Sequence, residues 1–231
     1  MNIKEELVGN ITAVQATIHQ AAFDARRDPK DISLIGVSKQ QPEDRIEASL
    51  AAGLRIFGEN RVQEAEARWL GRRKKYSDLE IHLIGPLQTN KVRSAVRLFD
   101  VIQTVDRERL AHTLGRCMAE EGRNLPCFVQ VNTGEEEQKA GISPGDTDAF
   151  VKTCIDKYAL KIVGLMCIPP AQDVAAPHFA LLQQMAVQLN LPYTSMGMSG
   201  DYPAAVELGA THVRVGSAIF GSRASIAPAD C

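Results

Sequence analysis

The chain has no excess of charge of either sign: 26 lysines and arginines stand against 28 aspartates and glutamates, a formal net charge of −2. Binding nucleic acid through bulk electrostatics needs a clear basic excess, so the composition argues against that class of partner. Long apolar runs are missing too. No window approaches the length needed to span a bilayer, and Met1-Asn2-Ile3-Lys4-Glu5-Glu6 places acidic residues where a secretion signal would carry an apolar core. Cysteine is scattered: Cys117, Cys127, Cys154, Cys167 and Cys231 form no CxxC pair and have no histidine at metal-ligand spacing. Such a set reads as free thiols in a reducing cytoplasm and argues against structural zinc. Nor does a linker, low-complexity tract or composition shift divide the 231 residues. What remains is an ordinary globular composition, 45% apolar and 23% charged, long enough to bury a sizeable core.

Apolar residues at Leu7, Ile11, Val14, Ile18, Ala21 and Ala22 trace one helical face and predict an N-terminal helix. Strand-like segments follow at 32–38, 55–57, 81–84, 101–104, 127–131, 162–166, 193–196 and 212–215. They alternate with amphipathic stretches of helical length such as 43–52, 61–75, 107–121 and 175–189. Eight strands separated by helices point to parallel pairing through right-handed crossovers, and eight is the number that closes a (β/α)8 barrel. The expected fold is therefore α/β, a single TIM barrel domain over 1–231 with 1–28 forming a helix packed on it; a doubly wound open sheet is the runner-up. A short tail, 226–231, follows the last helix. The cations Arg72-Arg73-Lys74-Lys75 read as charges placed favourably at a helix C-terminus, in preference to a partner patch.

The run Ser33-Leu34-Ile35-Gly36-Val37-Ser38-Lys39 reads as a buried strand whose last residue is a primary amine. Removal from water disfavours an ammonium, and the neutral amine is a nucleophile able to form an imine with an aldehyde. A lysine that snorkels to solvent or pairs with a carboxylate is the competing reading. Small and polar residues follow the strands: Gly58-Glu59-Asn60, the segment 85–91, Asp106-Arg107, Asn132-Thr133-Gly134 with an acidic loop through Lys139, then 197–201 and Gly216-Ser217. In a parallel barrel these segments converge on the C-terminal rim. Met196-Gly197-Met198-Ser199-Gly200 and Val215-Gly216-Ser217, each ahead of a predicted helix, offer an anion cradle on adjacent strands. Arg214 interrupts an apolar strand, and a guanidinium cannot shed its charge. Its partner is either a carboxylate on a neighbouring strand or a ligand at the barrel mouth. His82 and His212 are either rim acid/base groups or hydrogen-bonded core histidines. An amine, an anion cradle and a buried arginine together suit a phosphorylated aldehyde held as an imine, and pyridoxal 5′-phosphate (PLP) fits those demands.

These residues lie in motifs that resemble the PLP homeostasis protein family. The motifs are Val37-Ser38-Lys39, Phe57-Gly58-Glu59-Asn60 with Val62-Gln63-Glu64, Ile81-His82-Leu83-Ile84-Gly85-Pro86-Leu87-Gln88-Thr89-Asn90-Lys91, residues 196–201 and residues 213–221. They run in the family's order from Val37 to Arg223. The resemblance implies the fold of the alanine racemase N-terminal barrel, with PLP held as an internal aldimine on Lys39. It implies that Arg214 approaches the pyridine nitrogen and that Ser199, Gly216 and Ser217 hold the phosphate. Asn60 would line the pocket and Met198 would belong to the same cofactor-binding set. The implied protein is cytoplasmic and monomeric and serves vitamin B6 balance, affecting amino-acid and keto-acid metabolism. It has no catalytic residues and no metal, binds neither nucleic acid nor membrane, and has PLP-dependent apo-enzymes as candidate recipients. The alternative is an amino-acid racemase. Related racemases add a β-rich domain that supplies a tyrosine across a dimer, whereas here the barrel uses up the chain and the tyrosines are Tyr76, Tyr158, Tyr193 and Tyr202. Racemisation needs acid/base groups on both faces of a carbanion, and an arginine at the ring nitrogen leaves that nitrogen unprotonated and weakens the electron sink. A class I aldolase, with its Schiff base made to a substrate, is a third reading.

Overall fold

The structure is a computed structural model that describes residues 2–221. The tail 226–231, Cys231 and Arg223 lie outside the described residues. Eight strands, β1 (Ser33–Val37), β2 (Ile56–Glu59), β3 (Glu80–Leu83), β4 (Val101–Val105), β5 (Pro126–Val131), β6 (Lys161–Cys167), β7 (Tyr193–Ser195) and β8 (His212–Val215), close in sequence order into one barrel. All eight pairings are parallel. The helices are α1 (Ile3–Asp24), α2 (Glu43–Ala51), α3 (Val62–Arg73), α4 (Val92–Leu98), α5 (Glu108–Glu120), α6 (Thr147–Asp156), α7 (Ala175–Gln188), α8 (Tyr202–Glu207) and α9 (Ser217–Phe220). This is the expected TIM barrel.

Strand side chains alternate between two environments, as the period of a strand requires. Phe57, Ile81, Leu83, Ile102, Val129, Leu165, Val213 and Val215 point outward and join the apolar helix faces in one continuous core. Inside the barrel, Val101, Phe128 and Met166 form a separate small cluster with Val163 packed against it. The N-terminal helix buries the predicted face, Leu7, Ile11, Val14, Ile18, Ala21 and Ala22, and opens with a capping box between Asn2 and Glu5. It packs on α2, α8 and α9, and Asn10 Nδ2 donates to the Ile219 carbonyl at 2.9 Å.

One expectation changes at β1. The strand stops at Val37, so Lys39 is not its last residue but lies half-buried in the turn beyond it. Ser38 causes the departure. Its Oγ donates to Glu59 Oε1 at 2.7 Å, its carbonyl accepts from Arg68 Nη1 at 2.7 Å, and Gln41 N closes the turn onto the same carbonyl at 3.1 Å. Gln40 completes the turn with a φ of 59°. Glu59 is fully buried, and its Oε1 also accepts from Arg68 Nη1 at 2.9 Å and Trp69 Nε1 at 3.0 Å. Arg68 Nη2 reaches the Gln41 carbonyl at 3.1 Å. One buried carboxylate and one guanidinium thus clamp both ends of the turn that carries Lys39. The basic end of α3 is absorbed in the same region: Arg72 pairs with Glu43 and Glu47, and Arg73 with Asp100.

The ends of β2 and β3 are fitted together at Gly85. A Cβ there would stand 2.4 Å from the Asn60 carbonyl oxygen and 2.6 Å from Asn60 Cα. The Gly85 carbonyl is itself held by Thr104 Oγ1 at 2.9 Å, so the glycine cannot back away freely.

Two outcomes follow from these contacts. Arg68→Met leaves a buried carboxylate without its cation and lowers the unfolding free energy by roughly 3 kcal/mol in a urea titration; a loss within error of zero refutes the clamp. Gly85→Ala overpacks the β2–β3 junction and costs about 1–3 kcal/mol by the same measurement.

Candidate functional site

A cavity of about 310 Å³ opens at the C-terminal mouth of the barrel, where Lys39, Asn60, Met198, Ser199, Arg214, Gly216 and Ser217 all line it. The structure therefore brings together the seven residues expected to bind a cofactor. Lys39 comes from the turn after β1, Asn60 from the turn after β2, Met198 and Ser199 from the loop after β7. Arg214 projects from β8 itself, and Gly216 and Ser217 form the β8–α9 junction. Val37, Gln41, Ile84, Ile168, Gly200 and Gly221 complete the lining. Of these, Gln41 follows Lys39 closely in the chain but was not singled out from the sequence. Ile168 carries no polar or glycine signal after β6, and only the closed barrel brings it to the mouth. The loops after β4 and β5 do not contribute to this lining. Arg107 donates to the Leu87 carbonyl at 2.7 Å, and Lys139 pairs with Glu136 and donates to the Pro169 carbonyl at 3.3 Å.

The cradle is built from backbone. Gly216 N and Ala218 N both donate to Ser199 Oγ, at 3.1 and 3.4 Å. The β7 loop reaches this position because Gly197 adopts a φ of 87° and a Cβ there would fall 2.5 Å from Ala205 Cβ. No other residue meets both conditions at low cost. Asp201 Oδ1 accepts from Met198 N at 2.6 Å, and Gly197 O from Arg214 N at 3.0 Å. A Cβ at Gly216 would meet nothing closer than 3.5 Å, the nearest atoms being those of Val37, so its bare face opens on the cavity. Converging amides and a hydroxyl at a glycine turn suit a multi-oxygen anion. The helices behind them are short, α8 with 6 residues and α9 with 4, so any pull on an anion would come from the amides themselves.

Arg214 is 4% exposed. Its Nη1 donates to Ser195 Oγ at 2.6 Å and its Nη2 to the Cys167 carbonyl at 2.8 Å. Both partners are neutral, and among the described residues no carboxylate pairs with it. Burial pulls its pKa below the ordinary arginine value, with the Asp201 charge acting the other way. Between the two readings left open by the sequence, a neighbouring carboxylate is thus eliminated for the described residues, and a cationic donor faces the cavity.

Neither His82 nor His212 stands at the C-terminal rim as an acid or base. His82 is fully buried within β3, bonded to Glu80 and Gln103. His212 starts β8 at the opposite end of the barrel; burial, aided by neighbouring His82, pushes its pKa down to about 3, so it is neutral at pH 7. Cys117, Cys127, Cys154 and Cys167 are free and buried. Burial pushes the Cys154 and Cys167 thiols up to about 12, which keeps them protonated and poor nucleophiles. Among the described residues no cluster of histidine, cysteine and acidic side chains could hold a metal ion, and no helix is long and apolar enough to cross a membrane.

The comparisons agree with this geometry. Residues 26–224 match the family model of the alanine racemase N-terminal domain. The chain is 41% identical over 227 residues to the pyridoxal phosphate homeostasis protein of Pseudomonas aeruginosa, covering 95% of this chain and 97% of that one. It superposes with a TM-score of 0.81 and 36% identity on PipY of Synechococcus elongatus PCC7942 solved with PLP bound, over 93% of this chain and all of that one. An alanine racemase of Clostridium difficile 630 shares the fold at a TM-score of 0.71 and 14% identity, over 98% of this chain and 58% of the racemase. Barrel, cavity and relatives lead to one conclusion: the chain belongs to the pyridoxal phosphate homeostasis protein family, built on the barrel of the alanine racemase N-terminal domain.

Proposed function

We propose that this protein binds PLP in the C-terminal cavity, covalently through Lys39, and serves in vitamin B6 homeostasis as a carrier without turnover of its own. The observation that carries the reading is Arg214: a buried cation whose partners among the described residues are neutral, lining a cavity that also holds an amide cradle and a primary amine. A pyridine nitrogen would accept from that guanidinium. A phosphate would take the amides of Gly216, Ser217 and Ala218 together with the Ser199 hydroxyl. The aldehyde would condense with Lys39 Nζ to a Schiff base with loss of water. Asn60, Ile84 and Ile168 also line the cavity, and the two isoleucines would give the ring apolar contact. PLP bound in the similar PipY of Synechococcus elongatus supports PLP as the ligand.

The bound cofactor supplies an aldehyde carbon and an electron sink. What the protein does with them depends on proton-transfer groups. Arginine at the ring nitrogen keeps that nitrogen unprotonated. Among the described residues, Lys39 and Arg214 are the basic side chains of the lining, and none of the lining residues is a carboxylate, histidine or tyrosine. A racemase needs an acid and a base on opposite faces of the substrate, so the lining favours storage and delivery of PLP. In this reading the chain acts as one cytoplasmic, monomeric barrel domain whose partners are PLP and the apo-enzymes that receive it.

Purified protein is expected to be yellow, and borohydride reduction should fix PLP on Lys39, read by peptide mass spectrometry. Lys39→Ala should lose both the visible absorption and the adduct; a variant that keeps them sinks the assignment. For the carrier role, the loaded protein should pass PLP to an apo-enzyme acceptor. Racemase or transaminase turnover on the order of 1 per second or faster, a typical enzymatic rate, would overturn it.

A further inference from the structure

The barrel interior holds a set of polar side chains that the cavity itself does not use. Arg214 Nη1 donates to Ser195 Oγ at 2.6 Å, and Ser195 Oγ donates to Gln103 Oε1 at 2.6 Å. Gln103 Nε2 meets His82 Nδ1 at 2.7 Å, and His82 Nε2 meets Glu80 Oε1 at 2.7 Å. The path leaves β8 through β7, crosses to β4 and β3, and ends at the first residue of β3 on the N-terminal rim. Ser195, Gln103 and His82 are fully buried, whereas the Glu80 side chain is 44% exposed.

Only one assignment of hydrogens satisfies every member with a neutral imidazole. A guanidinium can only donate, so Ser195 accepts from Arg214 and turns its own hydrogen to Gln103. Gln103 therefore gives its oxygen to Ser195 and its nitrogen to His82. An amide nitrogen also only donates, so His82 Nδ1 accepts and the imidazole proton sits on Nε2, facing Glu80. Reversing the Gln103 amide would leave the Ser195 hydrogen without that acceptor and would require protons on both imidazole nitrogens. Every bond thus runs in one direction and ends on a carboxylate. The hydrogen bond from His82 holds the Glu80 carboxyl below the usual range, so this end is charged at neutral pH. Hydrogen bonds in series polarise one another in a low-dielectric interior, so each link makes the next oxygen a stronger acceptor for Arg214.

We propose that Ser195, Gln103, His82 and Glu80 are positioning residues for Arg214. They fix its guanidinium in the orientation that donates to a ring nitrogen in the cavity, and they connect that donor to a counter-charge at the opposite mouth of the barrel. The ring-nitrogen part rests on the reading of the cavity as a PLP site. The hydrogen-bond direction does not.

The test uses protein reconstituted with PLP carrying nitrogen-15 in the ring, with urea unfolding to confirm that each variant is folded. Gln103→Met breaks the chain at its centre with little change of volume, and Ser195→Ala breaks it beside Arg214 by removing one oxygen. In both, the ring-nitrogen resonance is expected to move toward that of a nitrogen without a donor, and the PLP dissociation constant to rise about 10-fold. Glu80→Gln keeps the acceptor but removes the charge, and should move the resonance less in the same sense. If Gln103→Met does not fold, Ser195→Ala decides. Folded chain-breaking variants that keep the resonance of the unsubstituted protein and its dissociation constant within about twofold overturn the proposal. In cofactor-free protein, the His82 nitrogens should report a neutral ring protonated at Nε2; a proton on Nδ1 overturns the direction. Unsubstituted protein that shows the expected His82 tautomer yet binds no PLP refutes the cavity reading, and with it the ring-nitrogen role, while the chain itself stands.

Discussion

Everything at the mouth of this barrel depends on the pairing of its first strand with its last. Ile35 stands in register with Arg214 and Gly36 with Val215, so the turn bearing Lys39 and the junction bearing Gly216 rise side by side. They are far apart in sequence, and neither half has a local reason to adopt its final position. The parallel register supplies that reason. It sets the amine on one wall of the cavity and the anion cradle on the adjoining wall, while the β7 loop, pinned through Gly197 and Arg214, adds Ser199 between them.

Closure also creates the electrostatic problem that the interior solves. A barrel of this size has a packed centre, and here that centre is shared between an apolar cluster around Phe128 and a buried cation. Removing a guanidinium from water is costly unless its donors are matched. The protein matches two of them with a hydroxyl and a carbonyl and leaves the net positive charge in place. The second buried ionic group, Glu59, is treated differently: it is paired directly with Arg68 and spent on local geometry. One charge thus keeps neutral partners among the described residues, and the other is consumed in positioning the turn that bears Lys39.

Much of this was legible in the sequence because it rests on local signals. Alternating apolar runs and amphipathic stretches reveal the strands and helices, and eight repeats reveal closure. Glycine and serine after the seventh and eighth strands mark the cradle, and a lone arginine inside an apolar strand marks itself. The remainder required tertiary contacts. That Lys39 sits in a turn and not on the strand depends on Arg68, 29 positions away, reaching back to Ser38 and Gln41. The roles of Gln103 and Ser195 could not be read, since each looks like an ordinary polar residue within a strand; only the barrel's interior face brings them into line with Arg214. His82 and His212 were ambiguous for the same reason. An inward histidine at mid-strand and one at the rim have similar neighbours in sequence, and depth within the barrel separates them.

The first helix carries a consequence for how the chain is made. Its apolar stripe is covered by α2, α8 and α9, and its Asn10 bonds to Ile219. During synthesis from the N-terminus, the helix emerges long before two of its three partners exist. The part of the stripe that α8 and α9 cover therefore stays exposed in the nascent chain until those helices are made, a window in which exposed apolar surface invites association. The same arrangement makes the helix a check on completeness. A chain halted before α8 leaves that apolar surface exposed, and one that has reached α9 covers it.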